Sequence, residues 1–359
     1  MPTVDLAIIG AGPSGCTAAI LAARQGLGVL LVERGPVDRE KICGDLVAPE
    51  ALPVLRELDP SLLAMGYRVG LARLHAGRRQ FSLSLEPPAL GLSRRALDVA
   101  LWSAAERAGA RCLERVEVRS VEGDGPFVVK SSADPYRAYA VIDATGRWSR
   151  LHPRKVHSDW VGLQANVREE PSCPLVDLYF FRGGYCGAQP VTEGILDVAA
   201  AVQRSRALRI EEVFALHPAL AERSSRWSLV GPPRATAPLV FGPSSPVGQG
   251  TLRIGDAAGF IDPFFGHGIA TALLTGKLVI EVLDDFFKGG ATLETTLQTW
   301  RRRHREATGR AFTLAAGVRT LLRMPDPAFG ALAAALAGMG SGSRLLAQAR
   351  AFSAPAVGP

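Results

Sequence analysis

The sequence predicts an α/β fold: a parallel sheet flanked by helices, a second antiparallel sheet, and a helical C-terminal segment. Three observations predict it. Apolar runs of the buried-strand type alternate with helical patterns in the N-terminal part and return far downstream. Between His157 and Leu239 the texture changes to strand-like runs separated by Gly and Pro turns. The last stretch, from Ala331 onward, is Ala- and Gly-rich with helical spacing. A chain of 359 residues with 47% hydrophobic content buries a substantial core and allows two domains, which excludes a disordered chain.

Taken in order, Val4 to Ile9 is an almost continuous apolar run, as a strand covered on both faces requires. Pro13 to Gln25 reads as a helix rich in Ala and Leu, Gly26 to Gly28 turns the chain, and Val29 to Val32 completes a β-α-β unit. Leu97, Val99, Ala100, Leu101 and Ala104 give Ser93 to Ala108 a helical apolar face, stopped at Gly109. Val116 to Val121, Phe127 to Lys130 and Tyr139 to Ala144 read as further strands of the same domain. Val161 to Val167, Val176 to Phe181 and Leu196 to Val202 form the second sheet, joined by Leu71 to His75 and Phe81 to Leu85. The chain re-enters the first domain at Leu252 to Ile254. The expected division is therefore discontinuous: 1–70, 93–155 and 245–290 in the nucleotide domain, 71–92 and 156–244 in a substrate-binding β-sheet domain, and 291–359 in a helical region.

Lys plus Arg number 41 against 34 Asp plus Glu, a net charge of +7 that favours anionic partners. Arg301, Arg302, Arg303, Arg305, Arg310, Arg319 and Arg323 concentrate beside His304; a solvated helix face explains them, as does contact with an anionic membrane surface or an acidic carrier protein. Nucleic acid is not expected, because no aromatics interleave this stretch and no base-reading module is visible. Cys16, Cys43, Cys112, Cys173 and Cys186 are odd in number and widely spaced, which argues against a disulfide framework and a zinc site, and no metal is expected. No basic segment followed by an apolar stretch precedes Val4, and no apolar run is long enough to span a bilayer, so the expected compartment is the cytoplasm.

The strongest chemical signal is Gly10-Ala11-Gly12-Pro13-Ser14-Gly15, set between a buried strand and a helix. Gly10 permits the tight turn, Gly12 lets a pyrophosphate approach the backbone, and Gly15 lets the helix pack on the strand. Amides at the helix start, aided by its dipole, meet phosphate charge. Glu33, eighteen residues past Gly15, ends the second strand where a carboxylate accepts both adenosine ribose hydroxyls; a 2′-phosphate there would face like charge. This is a Rossmann-type dinucleotide unit, although a tight turn without cofactor could use the same glycines. A second constellation follows at Gly255-Asp256-Ala257-Ala258-Gly259, with Asp262, Pro263, Gly266, His267 and Gly268. Here a strand ends in a carboxylate and a helix starts after a glycine-rich bend, which is also what an ordinary capped helix would show.

With both constellations, the sequence resembles the FAD-dependent hydroxylase fold shared by aromatic hydroxylases, flavin halogenases and geranylgeranyl reductases, over most of the chain. The resemblance implies FAD as cofactor, with Gly10, Gly12, Pro13, Ser14, Gly15, Glu33 and Arg34 on its adenosine side. It implies Gly255 and Asp256 at the ribitol, and Pro263, Gly266, Gly268 and Ile269 along the isoalloxazine. Ser93-Arg94, with Asp98 four residues on, is similar to the family helix whose Arg supports the pyrophosphate. Cys43-Gly44 resembles the bend that passes the flavin ring in the reductase and halogenase-like branch. The segment Asp143-Ala144-Thr145-Gly146-Arg147-Trp148-Ser149 resembles the family's Asp-Gly motif, with Thr145 where aromatic hydroxylases more often have Asp, and Gly146 at the cofactor. Gly183 to Pro190 and the following strand look like the substrate sheet, which makes Tyr185 and Gln189 candidate cavity residues beside Cys43 and His267.

No second glycine-rich β-α-β unit follows, so NADPH or NADH would visit as a transient electron donor. The expected activity is that of a monooxygenase acting on a hydrophobic or aromatic substrate of secondary-metabolite type through a C4a-hydroperoxyflavin. The alternatives are an alkene reductase of the geranylgeranyl type, a halogenase lacking the Trp-x-Trp-x-Ile-Pro segment of tryptophan halogenases, and a flavoprotein maturation factor.

Overall fold

The computed structural model describes residues 1–149, 151–152, 157–171, 173–263 and 266–323. The expected helical tail from Ala331 lies outside the described residues.

Strand Thr3–Ile9 sits at the centre of the first sheet, parallel to Val29–Glu33 on one side and to Tyr136–Asp143 on the other. Its alternate residues face opposite ways, and both sides are buried: Leu6 and Ile8 enter the core under the helices, Ala7 and Ile9 the core on the other face. That double burial is why the strand is apolar at nearly every position. Arg111–Glu114 and Thr251–Arg253 extend the parallel sheet at its two sides. The hairpin Val118–Glu122/Phe127–Ser131 joins antiparallel to Tyr136–Asp143, with Phe127 opposite Ala138.

Three helices cover one face: Pro13–Arg24, Arg94–Arg107 and His267–Phe287. The first and third cross at touching distance. A Cβ on Gly276 would lie 2.5 Å from Ser14 O and 2.9 Å from Thr17 Cβ, so only glycine lets the long helix rest on the glycine-loop helix. The last described helix, Leu293–Leu321, is pinned by Trp300, fully buried, whose Nε1 donates to Pro246 O at 2.9 Å.

Among the described residues the second sheet has eight strands. Trp160–Arg168, Leu175–Phe181, Gly184–Thr192 and Ile195–Gln203 form its middle, with Ser228–Thr236 at one edge. It departs from the purely antiparallel expectation at one place, where Leu175–Phe181 runs parallel to Tyr67–Ala76. The chain also reaches this sheet earlier than residue 71: Leu46–Val47 pairs with Gly91 and Leu90, and the long strand begins at Tyr67. A two-residue strand carries no period to read. The outer face of the sheet is sealed by the short helices Ile210–Phe214 and Pro218–Ser224, which bury Ile210, Val213 and Leu220. The inner face looks toward the first sheet and the far half of helix Leu293–Leu321, where Phe180, Tyr185 and Ala201 meet Ala315 and Leu322.

Candidate cofactor and substrate cavity

Register decides where the site lies. Ile9 stands beside Asp143, and Asp143 beside Arg253, so three parallel strands end in one row. The loops that follow them, at Gly10, Ala144 and Ile254, therefore open side by side at the carboxyl edge of the sheet, where α/β proteins bind ligands. Between that edge and the inner face of the second sheet is a cavity of about 990 Å³.

The glycine loop is shaped by contacts a side chain would destroy. Gly10 has φ +104°, and a Cβ there would be 2.4 Å from Ala144 O; one on Gly15 would be 1.9 Å from Gly10 O. Gly12 differs, since its Cβ would meet only Arg94 Nη2 at 3.9 Å, and the residue faces the cavity. Gly12 is also the N-cap of the helix, with Pro13 next and no side-chain cap, so its first amides are left for a ligand. Glu33, at the end of strand Val29–Glu33, is buried against the loop. Its Oε2 accepts from the Ala11 amide at 2.9 Å, and its Oε1 from Arg39 Nη2 at 2.9 Å and the Gly35 amide at 3.2 Å. The carboxylate braces the loop, while Arg34 and Arg39 line the cavity wall.

Ser93 caps helix Arg94–Arg107 through the Ala96 amide, and this fixes Arg94 at the rim of the cavity. Arg94 grips Asp98 with Nε and Nη2, each at 3.0 Å, and Lys41 Nζ donates to the same carboxylate at 2.6 Å. Two cations share one buried anion. One positive charge is left over beside Gly12, as a pyrophosphate requires.

The Asp143 turn forms the third wall. Its carboxylate, fully buried, accepts from the Thr145 amide at 3.0 Å, the Thr145 hydroxyl, Ser149 Oγ at 3.1 Å and His152 Nδ1 at 3.0 Å. Burial raises its pKa, but the His152 and Thr145 hydrogen bonds outweigh that and hold it below the usual carboxylate range. Thr145 thus serves inside the turn, and the turn delivers Gly146, Arg147 and Trp148 to the cavity. Asp256 faces them. Gly255 (φ +56°) makes the bend, held by the Thr275 hydroxyl, which accepts from its amide at 3.1 Å. Burial pushes the Asp256 carboxyl up, while Arg147 and then Arg94 draw it down.

At the start of helix His267–Phe287, Gly266 (φ +70°), Gly268 and Ile269 line the cavity together with Pro263, and a Cβ on Gly268 would meet nothing within 4 Å. His267 does not line it. Its Nε2 lies 2.9 Å from Glu50 Oε1 and the residue is buried, because neighbouring helical residues point about 100° apart. The expectation that His267 touches substrate or flavin is corrected on that ground.

Cys43 and Gly44 line the cavity opposite. Burial, reinforced by the Asp45 carboxyl, pushes the Cys43 thiol up to about 12, so it stays protonated at neutral pH. Asp45 itself is pushed up to about 7 by burial, against the pull of Arg94. Gln189 ties this bend to the second sheet: Nε2 donates to Gly44 O and to Asp197 Oδ2 at 3.2 Å. Tyr185 donates to Asp262 Oδ1 at 2.7 Å, and Asp262 Oδ2 lies 3.3 Å from Arg319 Nη1.

The second sheet and the last described helix give the wall a largely apolar stretch. Leu74, Leu178, Phe180 and Ala201 come from three strands of the second sheet, with Tyr185 between Phe180 and Ala201, and Leu314, Val318 and Leu321 from the last described helix. Sequence reading weighed that helix for its arginines and missed this stripe, although the spacing 314, 318, 321 is helical. Arg147 was also missed as a site residue.

Two groups test whether these residues fit FAD. Among the described residues, neither the Asp256 carboxylate nor Arg147 Nη1 has a hydrogen-bond partner, although both lie in the cavity. With uncapped amides at one end and an unpaired carboxylate at the other, the donor and acceptor set suits a dinucleotide carrying phosphates and a polyol.

Comparison with known proteins agrees. A family model described as FAD binding domain matches residues 3–144. The chain is 28% identical over 359 residues to a menaquinone reductase of Mycolicibacterium smegmatis, covering 89% of this chain and 85% of that protein. It is 28% identical over 348 residues to digeranylgeranylglycerophospholipid reductase 2 of Methanopyrus kandleri, covering 87% and 84%. Among solved structures, the flavin-dependent brominase Bmp2 superposes with a TM-score of 0.80 at 19% identity over 98% of this chain and 94% of that one. The chondrochloren halogenase CndH, a myxobacterial protein, gives 0.78 at 21% identity, with 99% and 92% covered. Residues 3–144 are an FAD binding domain, the chain is an FAD-dependent oxidoreductase, and its fold is that of these halogenases.

Proposed function

We propose that this oxidoreductase is a reductase that adds hydrogen across a carbon–carbon double bond of an isoprenoid chain. One observation carries this reading: the wall facing the cofactor residues is an apolar strip crossing several strands, from Leu74 through Leu178 and Phe180 to Ala201, closed by Leu314, Val318 and Leu321. Such a surface holds a hydrocarbon by burial alone. The named reductase relatives support the same class.

Bound FAD supplies the two-electron redox chemistry. Arg94, the Gly12 loop and Asp256 would hold it extended, and the Gly266 to Ile269 amides would face the ring. Cys43 Sγ keeps its proton at neutral pH, so it gives it up only to a strongly basic carbon, as an alkene becomes on receiving hydride. The Tyr185 hydroxyl donates to Asp262, which fixes the ring in the cavity wall at the proposed substrate end. NADPH or NADH is the proposed electron donor, visiting transiently, since the described residues hold one dinucleotide unit. A chain-like lipid substrate also suggests presentation from the cytoplasmic face of a membrane. No described helix is long and apolar enough to cross one; Arg301, Arg302 and Arg305 are exposed and are the proposed contacts with anionic headgroups.

The test is anaerobic turnover of geranylgeranyl-bearing substrates and menaquinone by the dithionite-reduced protein, with products read by mass after reoxidation in air, so that any quinol returns to quinone and only a saturated double bond keeps its two hydrogens. The expected product gains two hydrogens. A product heavier by one oxygen, formed only in air, would contradict the reading and restore the hydroxylase expectation.

A further inference from the structure

Among the described residues, two cations lining this cavity have no carboxylate partner: Arg34, which is exposed to solvent, and Arg147, whose Nη1 is buried. Arg39 pairs with Glu33, and Arg94 and Lys41 share Asp98, but no carboxylate lies within ion-pair distance of Arg147 among the described residues. Its Nη1 is buried without an acceptor, and its guanidinium rests over the Phe260 ring at 4.7 Å. Burying an unpaired guanidinium is unfavourable, so the native cavity gains by receiving negative charge at that point.

The place of that charge follows from what Arg147 feels. The groups acting on it are Asp256, Cys43 and Arg94, in that order after burial itself. It therefore stands among the candidate ribitol acceptor, the bend beside the ring and the pyrophosphate clamp. The pyrophosphate already has Arg94, Lys41 and the helix amides; toward the ring end the other described cation, Arg319, is paired with Asp262 and does not line the cavity. The Asp143 network holds the turn that presents Arg147, so the charge is positioned before any ligand arrives.

We propose that Arg147 is the counter-ion of the reduced, anionic ring of FAD, binding that form in preference to the neutral oxidised one and so raising the cofactor's midpoint potential. The inference rests on FAD binding and not on the choice of substrate. It assigns Arg147 a positioning role on the cofactor's charge.

The experiment measures oxidised-FAD affinity by fluorescence titration and midpoint potential by dye equilibration, for the wild type, Arg147→Met and Arg147→Lys. Arg147→Met is expected to weaken the binding of reduced FAD at least tenfold more than that of oxidised FAD, a fall of about 30 mV for a two-electron couple. Arg147→Lys should recover most of that loss. Equal weakening of both forms in Arg147→Met, or an unchanged potential, would overturn the proposal. Should the Met variant not fold, the Lys variant decides: a potential as low as the tenfold loss implies, despite retained charge, would overturn it, and one near the wild type would support it. A wild type that binds no FAD would instead sink the cofactor assignment.

Discussion

Asp256 is the residue on which the cofactor end of the cavity turns. Among the described residues it is an acceptor without a donor, placed by a bend that only a left-handed residue such as Gly255 makes comfortably. Hydrogen bonds to a charged group contribute about 1.5–3 kcal/mol, so Asp256→Ala should weaken FAD binding by about 10- to 100-fold. The purified variant should be nearly colourless, and fluorescence titration gives the shift; a variant as yellow as the wild type would contradict the role. At this scale the sequence was legible where chemistry is local. Gly10, Gly12 and Gly15 follow from one tight turn, and their three different uses match three different surroundings. The brace that Glu33 gives the loop and the unpaired state of Arg147 Nη1 were not legible, because both are matters of partners: three donors meet the first, and none of the described acceptors reaches the second.

Among elements, the contact of helix Pro13–Arg24 with helix His267–Phe287 links the two constellations. Gly276 is the point of closest approach, and nothing in the glycine pattern of the sequence singles it out, because the residue it touches is Ser14, far away in the chain. Gly276→Val should destabilise the fold by about 1–3 kcal/mol through overpacking against a backbone oxygen that has nowhere to move. It should also loosen FAD, since Ser14 belongs to the cavity wall. Thermal unfolding with and without FAD checks both effects; an unchanged midpoint would mean the two helices are free to separate at no cost. The long strands were readable from their period, whereas Leu46–Val47 is too short to show one. The apolar stripe on helix Leu293–Leu321 was present in the spacing but was overshadowed by the arginines on the same helix.

For the whole molecule, the two sheets divide the work. Polar loops at the carboxyl edge of the first sheet offer charge and hydrogen bonds, and the inner face of the second sheet offers an apolar wall with Tyr185 and Gln189 at its polar end. The start of the second sheet's middle strands could be inferred from the change in texture at His157, since strands there follow one another across Gly and Pro turns instead of alternating with helices. The mixed pairing of Leu175–Phe181 with Tyr67–Ala76 could not, because it joins segments about a hundred residues apart.

The most direct test of the central claim is titration of the apo chain with FAD, followed by removal of free cofactor and an absorption spectrum. A cavity built from the Gly12 loop, Arg94, Arg147 and Asp256 predicts one FAD retained per chain, with an oxidised-flavin band near roughly 450 nm. A chain that stays colourless after incubation with excess FAD would contradict it.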